Sequence, residues 1–411
     1  MTSGRRRMLG GDAALIIAAQ GLRAAGYGFT AVVLGALLAA RGYGHLRAGL
    51  VLMALIAGTA VASLVVGAVA DRVGRRRSYA TFFMLIAISG ALVASSTSFW
   101  LLLAIALTGA LSTDVVDNGP ATTLEQVMLA NDDAGTASMY GVYNAAGAGA
   151  GALGALAATL PGLAGGSLHG WLFASLVPVG VGGVVLASRL TPAVEAGTAV
   201  GATGRRLTES RSVVRRLAAL FAVDAAGGGL VTTGFLSYLF SERYGVSVIA
   251  LGWLFFAVTL VQAVSVLIAP RLAKRFGLVA TMVGTHLPSN VLLAAIAFAG
   301  SFPVAAVLLL ARTTLSQMDV PTRQALVMSV VTPPERTAAA AVTNAARYTV
   351  RPVGPLVAGV AQQIALGAPL LVAGVVKGGY DLALWRWAHR LPLTQRRSGL
   401  SAASAPNPEA S

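Results

Sequence analysis

Gly67-Ala-Val-Ala-Asp71-Arg72-Val-Gly74-Arg75-Arg76-Arg77 is the segment that best indicates the fold class. It places a compact charged loop between two long apolar runs. A soluble protein has little use for this arrangement. A membrane protein needs such a loop to turn a helical hairpin on the cytoplasmic side of the bilayer. About 20 consecutive apolar residues cross the bilayer as a helix, so the segment indicates a helical membrane protein.

The composition points to the same class. The chain is 56% hydrophobic with a mean hydropathy of +0.75, and 11% of its residues are charged, whereas about 25% are charged in a soluble domain. Its continuous Ala, Leu, Val and Gly runs differ from the alternating segments of a membrane β-barrel. We therefore expect an all-α membrane protein with twelve transmembrane helices. The predicted spans are 12–40, 45–70, 78–97, 99–118, 136–160, 169–188, 214–241, 247–271, 278–299, 302–324, 337–364 and 368–388.

The distribution of basic residues predicts the orientation. Of the 30 Lys and Arg residues, 22 fall on one side of the predicted spans and only Arg41, Arg47 and Arg243 fall on the other. Basic residues are retained in the cytoplasm, so we expect an integral protein of the bacterial cytoplasmic (inner) membrane with cytoplasmic N and C termini. Contact with anionic membrane lipids accounts for the net charge of +15. No nucleic-acid partner is required, because the basic residues are dispersed without interleaved aromatics.

An internal repeat with an offset of 200 residues organises the chain. Val142-Tyr-Asn144-Ala-Ala is matched by Val342-Thr-Asn344-Ala-Ala, and the Asp71 loop has a weaker counterpart in Lys274-Arg275-Phe-Gly277. The repeat predicts two pseudosymmetric six-helix halves with a substrate site between them near the bilayer midplane. The predicted divisions are an N-terminal half at 1–188, a cytoplasmic linker at 189–213, a C-terminal half at 214–390 and a disordered cytoplasmic tail at 391–411.

The loop at 67–77 resembles the signature loop of the major facilitator superfamily, whose members are secondary transporters with six plus six helices. By that resemblance Asp71 would belong to a cytoplasmic gate that ties the two halves together in the outward-facing state, with Arg72 and Arg75 in its charge network. The gating-loop residues so implied are Gly67, Asp71, Arg72, Gly74, Arg75 and Arg76. Asp319-Val-Pro321-Thr-Arg323-Gln324, together with Glu125-Gln126, also resembles an uncharacterised prokaryotic branch of this superfamily.

Charges within the spans are the main clue to a site. An ionisable side chain at bilayer depth costs about 2.5–3.5 kcal/mol and usually faces a cavity or a partner. Arg347 and Arg351 stand one turn apart, so these like charges need acids or an anionic ligand. A structural network with Asp319 or Asp224 is the alternative. Lys377 and Asp381, also one turn apart, are predicted to neutralise each other.

The candidate substrate or coupling residues follow from these charges and from the repeat. They are Arg23, Asp114, Asp117, Glu125, Asn144, Asp224, Asp319, Arg323, Asn344, Arg347 and Arg351. For Asp114, Asp117 and Glu125 the alternative is an interfacial position at a helix end. The two asparagines could bond to substrate or across helices.

The sequence contains no Ser/His/Asp set, HExxH motif or phosphate-cradling loop, so we expect neither an enzyme nor an ATP-driven pump. Zero cysteines and four scattered histidines predict no metal site and no cofactor. The prediction is a monomeric secondary transporter of a small solute, an exporter, with protons as the candidate coupling ion. An uptake permease for a small organic or inorganic anion is the alternative, because guanidinium groups match carboxylate and phosphate geometry. A non-transporting membrane receptor is more remote.

Overall fold

The computed structural model describes residues 3–114, 119–129, 136–163, 170–195, 207–332 and 335–388. Within these ranges every regular element is a helix, so the all-α prediction is confirmed. Asp117, the tail at 391–411 and residues 196–206 of the linker lie outside the described residues.

The N-terminal half contains eight α-helices, and the C-terminal half contains nine, within the described ranges. The first set is α1 (Ser3–Ala40), α2 (His45–Val73), α3 (Arg75–Ser95), α4 (Phe99–Leu107), α5 (Pro120–Leu129), α6 (Thr136–Ala157), α7 (Leu160–Leu163) and α8 (Leu176–Ser188). The second is α9 (Arg211–Gly229), α10 (Thr233–Tyr244), α11 (Val248–Phe276), α12 (Leu278–Ile296), α13 (Phe302–Ser316), α14 (Asp319–Val330), α15 (Arg336–Val350), α16 (Val353–Ala361) and α17 (Ala368–Ala388). Two 3-10 turns, Gly170–Ser175 and Pro192–Glu195, flank α8.

Eight helical stretches of the described chain are long and apolar enough to cross a membrane by length and composition. Together with the interrupted pairs α4–α5, α13–α14 and α15–α16, and with α17, they are consistent with the twelve predicted spans. Several spans are broken, for instance at Pro352 between α15 and α16, where proline lacks the backbone N–H that a continuous helix requires.

Two predicted span ends are wrong. Span four was expected to end at 118, yet α5 continues to Leu129. Span ten was expected to end at 324, yet α14 continues to Val330. Hydropathy places a helix end where charge appears, but Glu125 and Arg323 are both buried in ion pairs. The helices can therefore continue past them.

The two hairpin turns that the repeat relates have the same backbone geometry. Gly74 has φ = 103° between α2 and α3, and Gly277 has φ = 88° between α11 and α12. Each glycine N–H donates to the carbonyl four residues earlier, on Ala70 and Ala273, at 2.9 Å. Glycine adopts positive φ without the steric cost of a Cβ, so both turns depend on this residue type.

The two halves pack against each other at one end of the bundle, through α1 with α10, α2 with α16 and α6 with α11. The approach is close, since a Cβ on Gly35 would lie 2.4 Å from the Gly234 carbonyl oxygen. There the Ser237 hydroxyl donates to the Val32 carbonyl oxygen at 2.7 Å. We call this the closed end.

The opposite end, which carries the 67–77 loop, is called the loop end. Here α5 packs mainly against α2, and α14 packs mainly against α12, so each stays with its own half. An apolar cluster around Phe221, Met282 and Leu326 likewise contains C-terminal residues alone among the described side chains. The described halves therefore separate toward the loop end.

Candidate functional site

Glu125 lies at the centre of the N-terminal half and has no exposed surface. Its carboxylate forms an ion pair with Arg23 of α1 at 2.9 Å. It also accepts hydrogen bonds from the hydroxyls of Tyr79 on α3 at 2.6 Å and Tyr143 on α6 at 2.5 Å. The interfacial alternative for Glu125 is therefore wrong. Sequence reasoning missed both tyrosines, which carry no charge to mark them.

Arg23 completes this cluster. Its Nη2 also donates to the Thr122 hydroxyl at 3.1 Å, and its guanidinium carbon lies 5.4 Å from the centre of the Tyr27 ring, within the range of a cation–π contact. The buried pair thus ties α1, α3, α5 and α6 together.

A second cluster lies in the C-terminal half around Asp224 of α9. Its carboxylate pairs with Lys377 of α17 and with Arg323 of α14 at 3.4 Å. Arg323 also pairs with Asp319, one turn away, at 2.8 Å. All of these groups are buried. Arg323, a candidate substrate or coupling residue, is held inside this half by its two acid partners.

His286 of α12 joins this cluster and was not among the candidate residues. Its Nδ1 lies 2.8 Å from Asp381 Oδ1, and its Nε2 lies 3.7 Å from Asp224 Oδ1. The Asn290 amide donates to the other Asp381 oxygen at 2.8 Å. The predicted pairing of Lys377 with Asp381 is wrong, because Lys377 reaches Asp224 instead.

A small cleft lies between the two halves. Asp114, from the non-helical stretch after α4, there accepts a hydrogen bond from Arg351 at the end of α15. The interfacial helix-end alternative for Asp114 is therefore wrong. The cleft is lined by Leu55, Ile56, Thr59, Ala60, Ser112, Thr113, Asp114, Tyr348 and Arg351.

Arg347 lies one turn before Arg351 but does not share its partner. In the described chain no carboxylate lies within ion-pair distance of Arg347. Asp319 is paired with Arg323 instead, and the Nε of Arg347 has no hydrogen-bond partner. Asn144 on α6 and Asn344 on α15 are exposed at equivalent positions of the repeat.

The gating-loop residues are tied to their own half. Asp71 pairs with Arg75 at 3.0 Å, and Arg75 Nη1 donates to the Val194 carbonyl oxygen at 3.3 Å. The backbone N–H groups of Arg75 and Arg76 donate to the Glu195 carboxylate at 2.7 and 3.1 Å. Glu195 thus satisfies N–H groups at the start of α3, where helices lack internal acceptors. The loop is attached to the segment that follows α8.

The sequence matches the profile of the Major Facilitator Superfamily over residues 16–355. The chain belongs to this family. It is therefore an integral membrane transporter and not an enzyme, and the resemblance of the 67–77 loop is confirmed.

Individual proteins are also similar to this chain in sequence or in structure. An uncharacterized membrane protein of Saccharomyces cerevisiae, YJR124C, is 27% identical over 391 residues, which are 85% of this chain and 87% of that protein. The crystal structure of the nucleoside transporter NupG is similar with a TM-score of 0.69 at 16% identity, covering 91% of this chain and 97% of NupG. The human organic anion transporter MFSD10 is similar with a TM-score of 0.59 at 18% identity, covering 93% and 100%. At these identities the two solved structures show the fold alone.

Proposed function

We propose that this protein is a secondary active transporter that exports a small solute across the cytoplasmic membrane by alternating access, coupled to protons. The observation that supports it best is the ion pair of Asp114 and Arg351, which joins the two halves. It lies in a cleft between halves that pack most closely at the closed end. A group held by both halves is broken or rearranged when the halves rock about a central site.

The direction of transport is inferred from the basic loops. The loop end carries the Arg-rich 67–77 segment, which the positive-inside rule assigns to the cytoplasm. The described halves separate toward that end, so the cleft would receive a solute from the cytoplasm. Export is the direction that we propose to test. NupG and MFSD10 are described as transporters of nucleosides and of organic anions, which supports a small organic solute as the class to test.

Proton coupling is proposed for the cluster of Asp224, His286 and Asp381. These three titratable groups are buried, and His286 contacts both acids, so one proton changes the charge balance within the C-terminal half. Asp224 also holds Lys377 of α17 and Arg323 of α14. A change of charge at Asp224 would therefore alter ion pairs that join α9, α14 and α17. Coupling to a rocking motion requires such a link between a titrating group and the packing of helices.

A reconstitution experiment tests the proposal. The purified chain is incorporated into proteoliposomes, a panel of radiolabelled small solutes is screened, and a proton gradient is imposed in either direction. We expect at least one solute to move faster than in protein-free liposomes, with a rate that the gradient changes. Transport that ignores the gradient would remove the coupling, and movement only from the closed end toward the loop end would contradict export.

A further inference from the structure

Two arginines inside the C-terminal half lack the partners that the other buried charges have. Arg312 of α13 and Arg347 of α15 each have a buried Nε with no hydrogen-bond partner. Across the described residues, neither guanidinium lies within 4 Å of a carboxylate, in contrast to Arg23, Arg323 and Arg351. An unpaired charge in a protein interior is costly, so these two groups need an explanation.

The nearby acids are already occupied. Asp224 binds Lys377 and Arg323, Asp319 binds Arg323, and Asp381 binds His286 and Asn290. With a neutral histidine, the three carboxylates of this cluster face four cations. Those cations are Arg312, Arg323, Arg347 and Lys377. The interior of this half therefore carries surplus positive charge.

Both arginines lie on inward faces of their helices. Arg312 follows Leu309 by three residues and precedes Ser316 by four, and both of these are buried, so it lies away from the exposed Val304 and Val307. Arg347 is one turn from Arg351, which lines the cleft. Ser289 of α12, three residues after His286, donates to the backbone carbonyl of Arg312 at 3.2 Å, and α15 packs against α9, which carries Asp224. Arg347 thus lies beside the cleft, directly before the lining residue Tyr348, and Arg312 lies beside the His286 cluster.

We propose that this pair selects an anionic solute, with Arg347 binding its carboxylate or phosphate group at the cleft wall and Arg312 adding positive potential behind it. A planar guanidinium presents paired N–H donors that match two oxygens of either group. Arg351 is a poorer candidate because Asp114 already neutralises it. This inference rests on the proposed transport function and names the class of its substrate.

Binding is measured first, without transport. The full chain is placed in phosphatidylcholine nanodiscs, and its thermal unfolding is followed with succinate, benzoate and inorganic phosphate, and with the neutral amides succinamide and benzamide. We expect at least one anion to raise the melting temperature while its amide does not. Stabilisation by no anion, or equal stabilisation by an anion and its amide, would overturn the proposal.

Variants then assign the binding to these residues. Arg347→Gln should weaken binding of the anion about tenfold or more, as expected for a lost charge-assisted hydrogen bond, and Arg312→Gln should weaken it less. Arg347→Lys keeps the charge but not the planar guanidinium group, so it should bind the anion with intermediate affinity. If Arg347→Gln does not fold, this variant tests whether Arg347 binds the anion. Arg271→Gln is the matched control, because Arg271 is exposed and donates only to a carbonyl of its own helix in the described structure. Equal affinity in all four variants would overturn the assignment.

Two further comparisons separate this inference from its alternatives. Repeating the titration in nanodiscs that contain phosphatidylglycerol tests a lipid headgroup, and binding of that lipid with no soluble anion bound in phosphatidylcholine would overturn the solute assignment. In proteoliposomes, flux of a neutral or cationic solute that Arg347→Gln leaves unchanged would overturn the anionic class while the transporter proposal stands. Anion binding without any flux would support the site and contradict the transport proposal.

Discussion

Arg23 in α1 and Asp224 in α9 occupy equivalent positions of the two halves and carry opposite charges. Their partners are exchanged in the same way, since Arg23 binds Glu125 in α5 and Asp224 binds Arg323 in α14. Arg23 and Asp224 are 201 residues apart, and Glu125 and Arg323 are 198 residues apart. Both separations agree with the repeat offset of 200. Each half is therefore held together by a buried ion pair at the same place but of reversed polarity. A search of the two halves for identical residues overlooks this relationship, because the acid and the base change places between the halves.

Glu125→Gln is expected to destabilise the protein strongly. The change leaves the guanidinium of Arg23 buried without its counterion, and removing one partner of a buried pair costs about 3–5 kcal/mol. Thermal or denaturant unfolding in detergent measures the loss. Tyr79→Phe, which removes one hydrogen bond to the same carboxylate, is the milder comparison, at about 1–3 kcal/mol.

The double variant Arg23→Met with Glu125→Met should unfold at a higher temperature than Glu125→Gln alone, because apolar side chains of similar volume can replace a buried pair with little loss. A Glu125→Gln protein as stable as the unmodified chain would show that the pair contributes nothing to folding.

Much of the fold follows from local sequence. Apolar runs locate the spans, and the two positive-φ turns are marked by Gly74 and Gly277 within similar motifs. Span ends are predicted less well, because Glu125 and Arg323 look like interfacial charges until their partners are known. In the sequence alone, a charged residue indicates the end of a span even where an ion pair buries it within the bundle.

The ion-pair partner of each buried charge could not be predicted from the sequence. Arg351 binds Asp114, which lies 237 positions away in the other half, whereas the structural alternative considered for Arg347 and Arg351 was a network with Asp319 or Asp224. His286 has no acid at ligand spacing in the sequence, and its two acid partners come from α9 and α17. Such pairs depend on how each helix is rotated about its axis, and hydropathy does not encode this.

Asp71→Asn is expected to impair transport while leaving membrane insertion and stability intact. Asp71 pairs with Arg75 within the loop, and by family resemblance it would also contact the C-terminal half when the loop end closes. Loss of about 1 kcal/mol of charge interaction would lower the transport rate about fivefold. Arg77→Gln, an exposed change in the same loop, is the control and should transport normally. Normal turnover by Asp71→Asn would exclude the gating role.

The orientation can be tested by cysteine labelling, because the chain contains no native cysteine. Glu209→Cys in the predicted linker should resist an impermeant maleimide in intact cells, whereas Thr97→Cys at the closed end should react. Both positions are exposed, while the neighbouring Ser210 is buried and unsuitable. The reverse pattern would place the termini outside the cytoplasm.

Glu335 predicts an acid-sensitive contribution to stability at the loop end. Hydrogen bonds from the backbone and hydroxyl of Thr208 and from the backbone of Ser210 lower its pKa from 4.5 to about 2. Because the folded-state pKa is depressed, this contribution is complete above pH 4.5 and disappears as the pH falls toward 2. The melting temperature of Glu335→Gln should thus lie below that of the unmodified protein at neutral pH. The gap should shrink below pH 4.5, and a gap that stays constant would contradict the linkage.

The Asp114–Arg351 pair predicts that its two members act as a unit. Asp114→Asn and Arg351→Gln should each change transport in proteoliposomes, and the double variant should be little worse than either single one, with a coupling energy of about 1 kcal/mol for a pair that is partly exposed. The pair links the halves while the loop end is open, so breaking it should lower the population of that conformation.

Spin labels on Ser188→Cys and Lys274→Cys, exposed positions in opposite halves, report the loop-end separation. We expect Asp114→Asn to reduce the fraction at long distance. Additive effects on transport, together with an unchanged distance distribution, would show that the contact plays no part in the transport cycle.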